Sequence, residues 1–197
     1  MAPTIDIQEK IHDFCVECAK RRLNNCKANR RADRCNYKDM TTKNEKDKYA
    51  FEKELEGIMG EVAVFRYFKL PIEWDYICGL QGFGKVDVPP IWEVKTMKPS
   101  NRLYILPSDV EIKSLSYAYT KVGITKGGDK FVRCELLGWK MGFEIHQQAD
   151  LQNLGYINTP SYYLNNRLLR QHTTAEDDMN EARRLHELFL DINEAIF

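Results

Sequence analysis

The hydrophobic pattern changes its period at Leu70-Pro71, and this change most restricts how the chain can fold. Before it, apolar residues recur every three or four positions along a helix predicted from about Asp47 to Phe68. This stripe consists of Phe51, Leu55, Ile58, Val62 and Phe65. After it, short runs rich in β-branched and aromatic residues alternate with glycine and proline, which is typical of strands. The middle of the chain is therefore expected to form a sheet.

Seven runs in and after this change have the composition of strands. They are Trp74 to Cys78, Lys85 to Val88, Ile91 to Lys95, Leu103 to Leu106, Ala118 to Thr125, Lys130 to Trp139 and Ser161 to Leu164. Short helices are predicted near Val110 to Ser116 and from His146 to Leu154, and Ile5 to about Asn29 also has a helical composition.

A capping box at Thr173 to Glu176 predicts a last helix that runs to the C-terminus. Its apolar side consists of Ala182, Leu185, Phe189, Ile192 and Ile196. This side is expected to pack on the rest of the domain, and pairing of two chains is the alternative.

These elements predict an α/β (α+β) fold with a central mixed sheet flanked by helices. A length of 197 residues fits one domain. We expect a basic helical extension over 1–46, a core over 47–165 and a C-terminal helix over 173–197. No signal peptide or membrane span is recognisable, so the expected location is the cytoplasm.

The total charge gives no support to nucleic-acid binding, because 29 basic residues balance 29 acidic ones. The distribution is uneven, and Lys20 to Lys48 is rich in Lys and Arg. Such an arm could follow a phosphate backbone by releasing counterions. An ordinary solvated helix face explains the same residues equally well.

The six cysteines are interpreted mainly as buried thiols. Cys15 and Cys18 have the spacing of a zinc-ligand pair, but Cys26 and Cys35 do not supply a second close pair. A spacing of three also places Cys15 and Cys18 on one face of a helix, as core residues would be. Zinc is therefore not expected, and neither are disulfides in a reducing compartment.

Charged residues converge around the run from Lys85 to Lys95. In a strand, Glu93 and Lys95 share one face, while Trp92 and Val94 point to the opposite, apolar layer. Asp87 ends the preceding strand, and Pro89-Pro90 makes a short connection between the two. The pattern predicts that two carboxylates and an ammonium group meet.

This group of residues suits metal-dependent cleavage of a phosphodiester. Mg²⁺ is held by a few carboxylates together with water and substrate phosphate. The ion activates water, and a nearby lysine can stabilise the charge that develops on phosphorus. The structural alternative is a weak Glu93–Lys95 ion pair on a solvated strand face.

Glu61 is a candidate third carboxylate. It lies on the flank of the predicted helix's apolar stripe, about 100° from Val62. Gly57 and Gly60 lack side chains and would let this helix approach the sheet closely. The alternative is an exposed glutamate beside two packing glycines.

A helical Gly60-Glu61, a strand Asp87 and then Glu93-Val94-Lys95 after a short connection resemble the PD-(D/E)XK nuclease superfamily, including members from phages and other viruses. The resemblance covers about residues 50 to 140 and continues through Asn101 to Ile105 and Leu136 to Trp139. Val86 stands where the family usually has proline.

The resemblance implies a restriction-endonuclease-like αβββαβ core and Mg²⁺- or Mn²⁺-dependent cleavage of nucleic acid, with DNA expected. By position, Glu61, Asp87 and Glu93 would be metal ligands together with the Val94 carbonyl oxygen, and Lys95 would be the catalytic lysine. Thr96 and Arg102 could contact phosphate.

A module that binds nucleic acid or takes part in assembly without catalysis is the alternative function. None of His12, His146, His172 and His186 has a partner at the spacing of a catalytic triad or a metal site. A histidine-based reaction is therefore not predicted.

Overall fold

The structure is a computed structural model that describes residues 2–28, 43–78, 86–97, 102–105, 115–126, 131–152 and 161–194. Its helices are α1 (Glu9–Ala28), α2 (Lys43–Tyr67), α3 (Trp74–Ile77), α4 (Gly142–Gln148) and α5 (Ala175–Glu194). Its strands are β1 (Thr4–Gln8), β2 (Trp92–Met97), β3 (Arg102–Ile105), β4 (Ala118–Lys126), β5 (Phe131–Met141), β6 (Asp150–Gln152) and β7 (Ser161–Asn165). A short 3-10 helix, Asn166–Leu168, follows β7.

The strands form two sheets. The first has the order β1-β5-β4-β2, in which β2 runs parallel to β4 and the other neighbours are antiparallel. The second has the order β3-β7-β6 and is antiparallel. The fold is thus a mixed α+β arrangement with a four-stranded mixed sheet flanked by helices, which confirms the predicted class.

Two hydrophobic cores lie on opposite faces of the first sheet. On one face, Ala118 of β4 belongs to the core that includes the α2 stripe residues Ile58, Val62 and Phe65. On the other face, Tyr119 packs with Leu103 and Leu164 of the second sheet. Consecutive residues of a strand point to opposite faces, so one strand serves both cores.

Glycine lets α2 lie directly against β2. A methyl group at Gly60 would overlap the hydroxyl group of Thr96, so this approach requires glycine. The prediction of close packing is therefore confirmed at Gly60. It is wrong at Gly57, where an added methyl group would meet nothing within 4 Å.

The first predicted helix is wrong over its first residues. Thr4–Gln8 is an antiparallel strand on β5, with Ile7 buried and Asp6 exposed. The alternation of apolar and polar residues has the period of a strand, and pairing with β5 satisfies the backbone there. The helix begins at Glu9.

Three further predictions need correction. Trp74–Ile77 is a helical turn instead of a strand, with Ile77 buried. The helix predicted at His146 begins earlier, at Gly142, and β6 follows it over Asp150–Gln152. The predicted strand Lys85 to Val88 is reduced, within the described residues, to a single bridge between Val88 and Trp92.

The C-terminal helix is capped one residue later than predicted. The Asp177 amide donates to the Thr174 hydroxyl oxygen at 3.1 Å, and that hydroxyl donates to the Asp177 carboxylate at 2.8 Å. Ala182 and Leu185 are buried as predicted, but Ile192 is exposed.

Some predictions concern residues that are not described. The helix predicted near Val110 to Ser116 falls mostly on them, as do Cys35 and Ile196. Within the described residues, none of the helices has the length and apolar character that a bilayer span requires.

Candidate active site

Asp87 lies at the open edge of β2. The antiparallel bridge between Val88 and Trp92, formed by two 2.9 Å backbone hydrogen bonds, brings the residues before β2 alongside it. The Val94 amide donates to Asp87 Oδ2 at 2.7 Å. Within a strand, the carbonyl and amide of one residue face the same side, so the Val94 carbonyl oxygen also faces this edge. The Val94 amide therefore holds Asp87 against the edge of β2 that the Val94 carbonyl oxygen also faces.

Glu93 and Lys95 share the opposite face of β2 from Trp92 and Val94. Trp92 and Val94 are buried, whereas the Glu93 and Lys95 side chains are 18% and 22% exposed. Lys95 Nζ lies 3.9 Å from Glu93 Oε2 and 5.9 Å from the ring centre of Tyr119. The predicted alternation is confirmed, and both charged side chains keep partial access to solvent.

Glu61 is a buried carboxylate held by an arginine that the sequence pattern did not identify. Glu61 is 5% exposed, and Arg22 of α1 contacts both of its oxygens. Arg22 Nη1 donates to Oε1 at 2.9 Å, and Nη2 donates to Oε2 at 2.6 Å. Arg22 Nη1 also donates to Glu54 at 3.2 Å. Glu61 was predicted on the flank of the apolar stripe, and in the structure its side chain points inward, toward α1.

The electrostatics connect Glu61 with Asp87. Burial and the negative charge of Asp87 raise the pKa of Glu61 to about 8, although Arg22 opposes the rise. Burial is the largest cause of this rise, and the negative charge of Asp87 is the second. A cation near Asp87 would offset the part of the rise that the Asp87 charge causes.

The negative charges of all three candidate carboxylates affect Tyr76. Burial raises the pKa of Tyr76 to about 12, and Asp87, Glu93 and Glu61 add to the rise in that order. The Tyr76 hydroxyl group donates to the Val86 carbonyl. Tyr76 therefore fixes the backbone next to Asp87 and belongs to this cluster, although sequence reasoning missed it.

The side chains alone do not form a complete metal cage. Within the described ranges, no group of three or more His, Cys, Asp or Glu side chains is placed to hold an ion. The Asp87 carboxylate, held by the Val94 amide, and the Val94 carbonyl oxygen both lie along the outer edge of β2. Hard oxygen donors with a carboxylate suit Mg²⁺ or Mn²⁺, which keep several waters as ligands.

Of the two weaker phosphate-contact candidates, the structure describes only the side chain of Thr96, which points away from this group. The Thr96 hydroxyl faces α2 at Gly60 and is buried without a hydrogen-bond partner. The side chain of Arg102 lies outside what the structure describes.

A histidine does have partners in the geometry of a triad, contrary to the sequence analysis. His172 Nε2 lies 3.1 Å from the Thr120 hydroxyl, and Nδ1 lies 2.6 Å from Asp178 Oδ2. Thr120 and His172 are 52 residues apart, so no short sequence motif could have indicated this arrangement. All three residues are buried, so the network stabilises the packing of α5 on β4 and is closed to substrate.

The expectation of free thiols is wrong for one pair. Cys18 of α1 and Cys78 after α3 form a disulfide with a Cα–Cα distance of 4.9 Å. Cys15 and Cys134 are buried and free, as predicted.

No family model, curated protein or solved structure matches this chain.

Proposed function

We propose that the chain is a metal-dependent phosphodiesterase of the PD-(D/E)XK type that cleaves nucleic acid, with DNA as the expected substrate. The observation that carries the proposal is the 2.7 Å hydrogen bond that holds Asp87 on the Val94 amide at the edge of β2, where the charge of Asp87 helps to raise the pKa of Glu61. Glu93 and Lys95 lie on the same strand, β2.

The donor types, carboxylates and a backbone carbonyl, suit a hard divalent cation. Asp87 Oδ2 accepts a hydrogen bond from the Val94 amide, which orients this carboxylate along the edge of β2. Asp87, Glu93 and the Val94 carbonyl would hold Mg²⁺ or Mn²⁺, with Glu61, whose two oxygens also accept from Arg22, as a ligand from the helix side. When bound, the ion would activate water and neutralise phosphate charge.

Lys95 would act on the substrate itself. Its ammonium group can donate to a non-bridging phosphate oxygen and stabilise the negative charge that grows there. Glu93 Oε2 lies 3.9 Å from this ammonium group and keeps it near the strand. Tyr76 would hold the segment that carries Asp87 through the Val86 carbonyl.

The test is a cleavage assay with purified protein in Mg²⁺ or Mn²⁺ over circular, linear and single-stranded DNA and over RNA. Lys95→Ala is expected to lose at least about a hundredfold in rate, as when one donor to a developing oxyanion is removed. Asp87→Asn is expected to lose activity together with Mn²⁺ affinity.

Lys10→Ala and Asp150→Asn are the matched controls, because both residues are exposed and lie on other elements. Both should retain activity. Full activity in Lys95→Ala, with folding verified by circular dichroism, would contradict the proposal. Gel-shift binding without any product, across the metals and substrates, would instead favour a non-catalytic nucleic-acid-binding module.

A further inference from the structure

Arg22 links three parts of the chain through one guanidinium group. Its Nη atoms hold both oxygens of Glu61, and its Nε donates to the Ile77 carbonyl at the end of α3. A bidentate arginine fixes the orientation of a carboxylate as well as its charge. The orientation of Glu61 is therefore set by where Arg22 lies.

The Cys18–Cys78 disulfide joins the same two elements. Cys18 precedes Arg22 by one helical turn on α1, and Cys78 directly follows Ile77. Residues four apart lie on one face of a helix. The covalent bond and the Arg22–Ile77 hydrogen bond thus run side by side between α1 and the end of α3.

We propose that Arg22 is a positioning residue for Glu61 and that the Cys18–Cys78 pair fixes its position, so that the cation affinity of the carboxylate cluster responds to the thiol–disulfide state. The part that concerns the cation rests on the proposed function. The part that concerns Arg22 and Glu61 rests on the contacts alone.

The switching step is thiol–disulfide exchange with a dithiol reductant. Cys18 and Cys78 are 4% and 2% exposed, so the reductant reaches them when the end of α3 opens locally. One thiolate of the reductant attacks a cystine sulfur, the Cys18–Cys78 bond breaks, and the departing thiolate takes a proton. The second thiol of the reductant then closes its own disulfide and releases the other cysteine as a thiol. Two electrons pass from the reductant to the pair, so the exchange is balanced.

The two free thiols do not compete in this exchange. Burial raises the pKa of Cys15 to about 12, with Glu61 adding to the rise, and burial likewise raises the pKa of Cys134 to about 12. Exchange proceeds through thiolates, which these cysteines do not form near neutral pH. Cys15 lies one turn from Cys18, yet the pairing stays with Cys78.

The test measures Mn²⁺ affinity by electron paramagnetic resonance on the full chain, oxidised and after reduction by dithiothreitol. Reduced wild type and oxidised Arg22→Lys are each expected to bind Mn²⁺ at least about tenfold more weakly, as for the loss of other groups that orient metal ligands. Reduction of Arg22→Lys should weaken Mn²⁺ binding little further, because both changes act through the Arg22–Glu61 contact.

Arg170→Lys is the matched control, since Arg170 makes the same two-point contact with Glu144 elsewhere in the fold. It should bind Mn²⁺ like wild type in the oxidised form. Cys15→Ala should keep the response to reductant, whereas Cys18→Ala should bind weakly with or without it. Equal Mn²⁺ affinity in oxidised and reduced wild type would overturn the proposal.

A second readout separates this proposal from the proposed function. If oxidised wild type binds no Mn²⁺, the metal-dependent function fails. Amide hydrogen exchange then tests whether the disulfide and Arg22 fix Glu61. Faster exchange in α2 around Glu61 and in α3 after reduction, and in Arg22→Lys, supports the coupling. Unchanged exchange in both segments contradicts it.

Discussion

Glu61 is the residue whose surroundings conflict most with its charge. It is buried on α2, and its pKa is raised to about 8 by burial and by Asp87. A group whose folded pKa lies above its unfolded value binds its proton more tightly in the folded protein. Its contribution to stability is complete below the unfolded pKa and is lost as pH rises through the folded pKa.

The stability of the metal-free protein should therefore fall as pH rises from about 5 to above 8. Glu61→Gln removes the ionisation and should flatten this dependence, while its amide oxygen can still accept from Arg22. Each unit of pKa difference corresponds to about 1.4 kcal/mol. Urea unfolding across this pH range measures the effect, and parallel curves for wild type and Glu61→Gln would contradict it.

Residues in short-range patterns could be predicted, and residues joined over long range could not. The positions of Glu93 and Lys95 follow from strand alternation, and that of Glu61 from its place on the flank of a helical stripe. Arg22 lies 39 residues from Glu61 in a segment that has only the composition of a basic arm. No spacing rule connects the two, because only the packing of α1 against α2 brings them together.

At the level of elements, the contact of α2 with β2 determines where Glu61 lies. The contact depends on Gly60, where any side chain would meet Thr96, and it does not depend on Gly57. Gly60→Ala should therefore destabilise the protein by about 1–3 kcal/mol through overpacking. Gly57→Ala should stabilise it by about 0.5–1 kcal/mol, because alanine is the better helix former.

Denaturant unfolding of Gly57→Ala and Gly60→Ala measures whether their free energies of unfolding change in opposite directions. Thr96→Ala removes the group that the new methyl would meet, so adding it to Gly60→Ala should restore part of the lost stability. The hydroxyl removed has no hydrogen-bond partner, which keeps its own loss inexpensive. Equal destabilisation by Gly57→Ala and Gly60→Ala would mean that the Thr96 contact is unimportant.

Short elements were harder to predict than long ones. The stripe of α2 and the strands β4 and β5 extend over enough residues for their periodicity to be clear. Thr4–Gln8 and Trp74–Ile77 span five and four residues, respectively. In such segments, pairing with β5 or packing of one buried residue outweighs local preference.

At the scale of the whole molecule, long-range contacts connect the helices around the first sheet. Asp178 of α5 accepts from Tyr67 of α2 at 2.8 Å and pairs with His172, which reaches Thr120 of β4. The Cys18–Cys78 bond connects α1 to the chain that follows α3. Both connections join elements whose relation the sequence did not predict, although the mixed sheet that they surround was predicted.

The disulfide should also contribute to overall stability through the unfolded chain. It closes a loop with a sequence separation of 60 residues, and the loss of unfolded-state entropy for such a loop corresponds to about 4 kcal/mol. Strain and residual structure reduce the effect, so reduction should lower the free energy of unfolding by about 2–4 kcal/mol. Urea unfolding with and without dithiothreitol measures this change without altering any side-chain volume appreciably.

Cys18→Ala should show no response to the reductant, and Cys15→Ala should show the full response. If wild type unfolds at the same urea concentration in both conditions, while mass spectrometry confirms two additional alkylated thiols, the bond does not stabilise the fold.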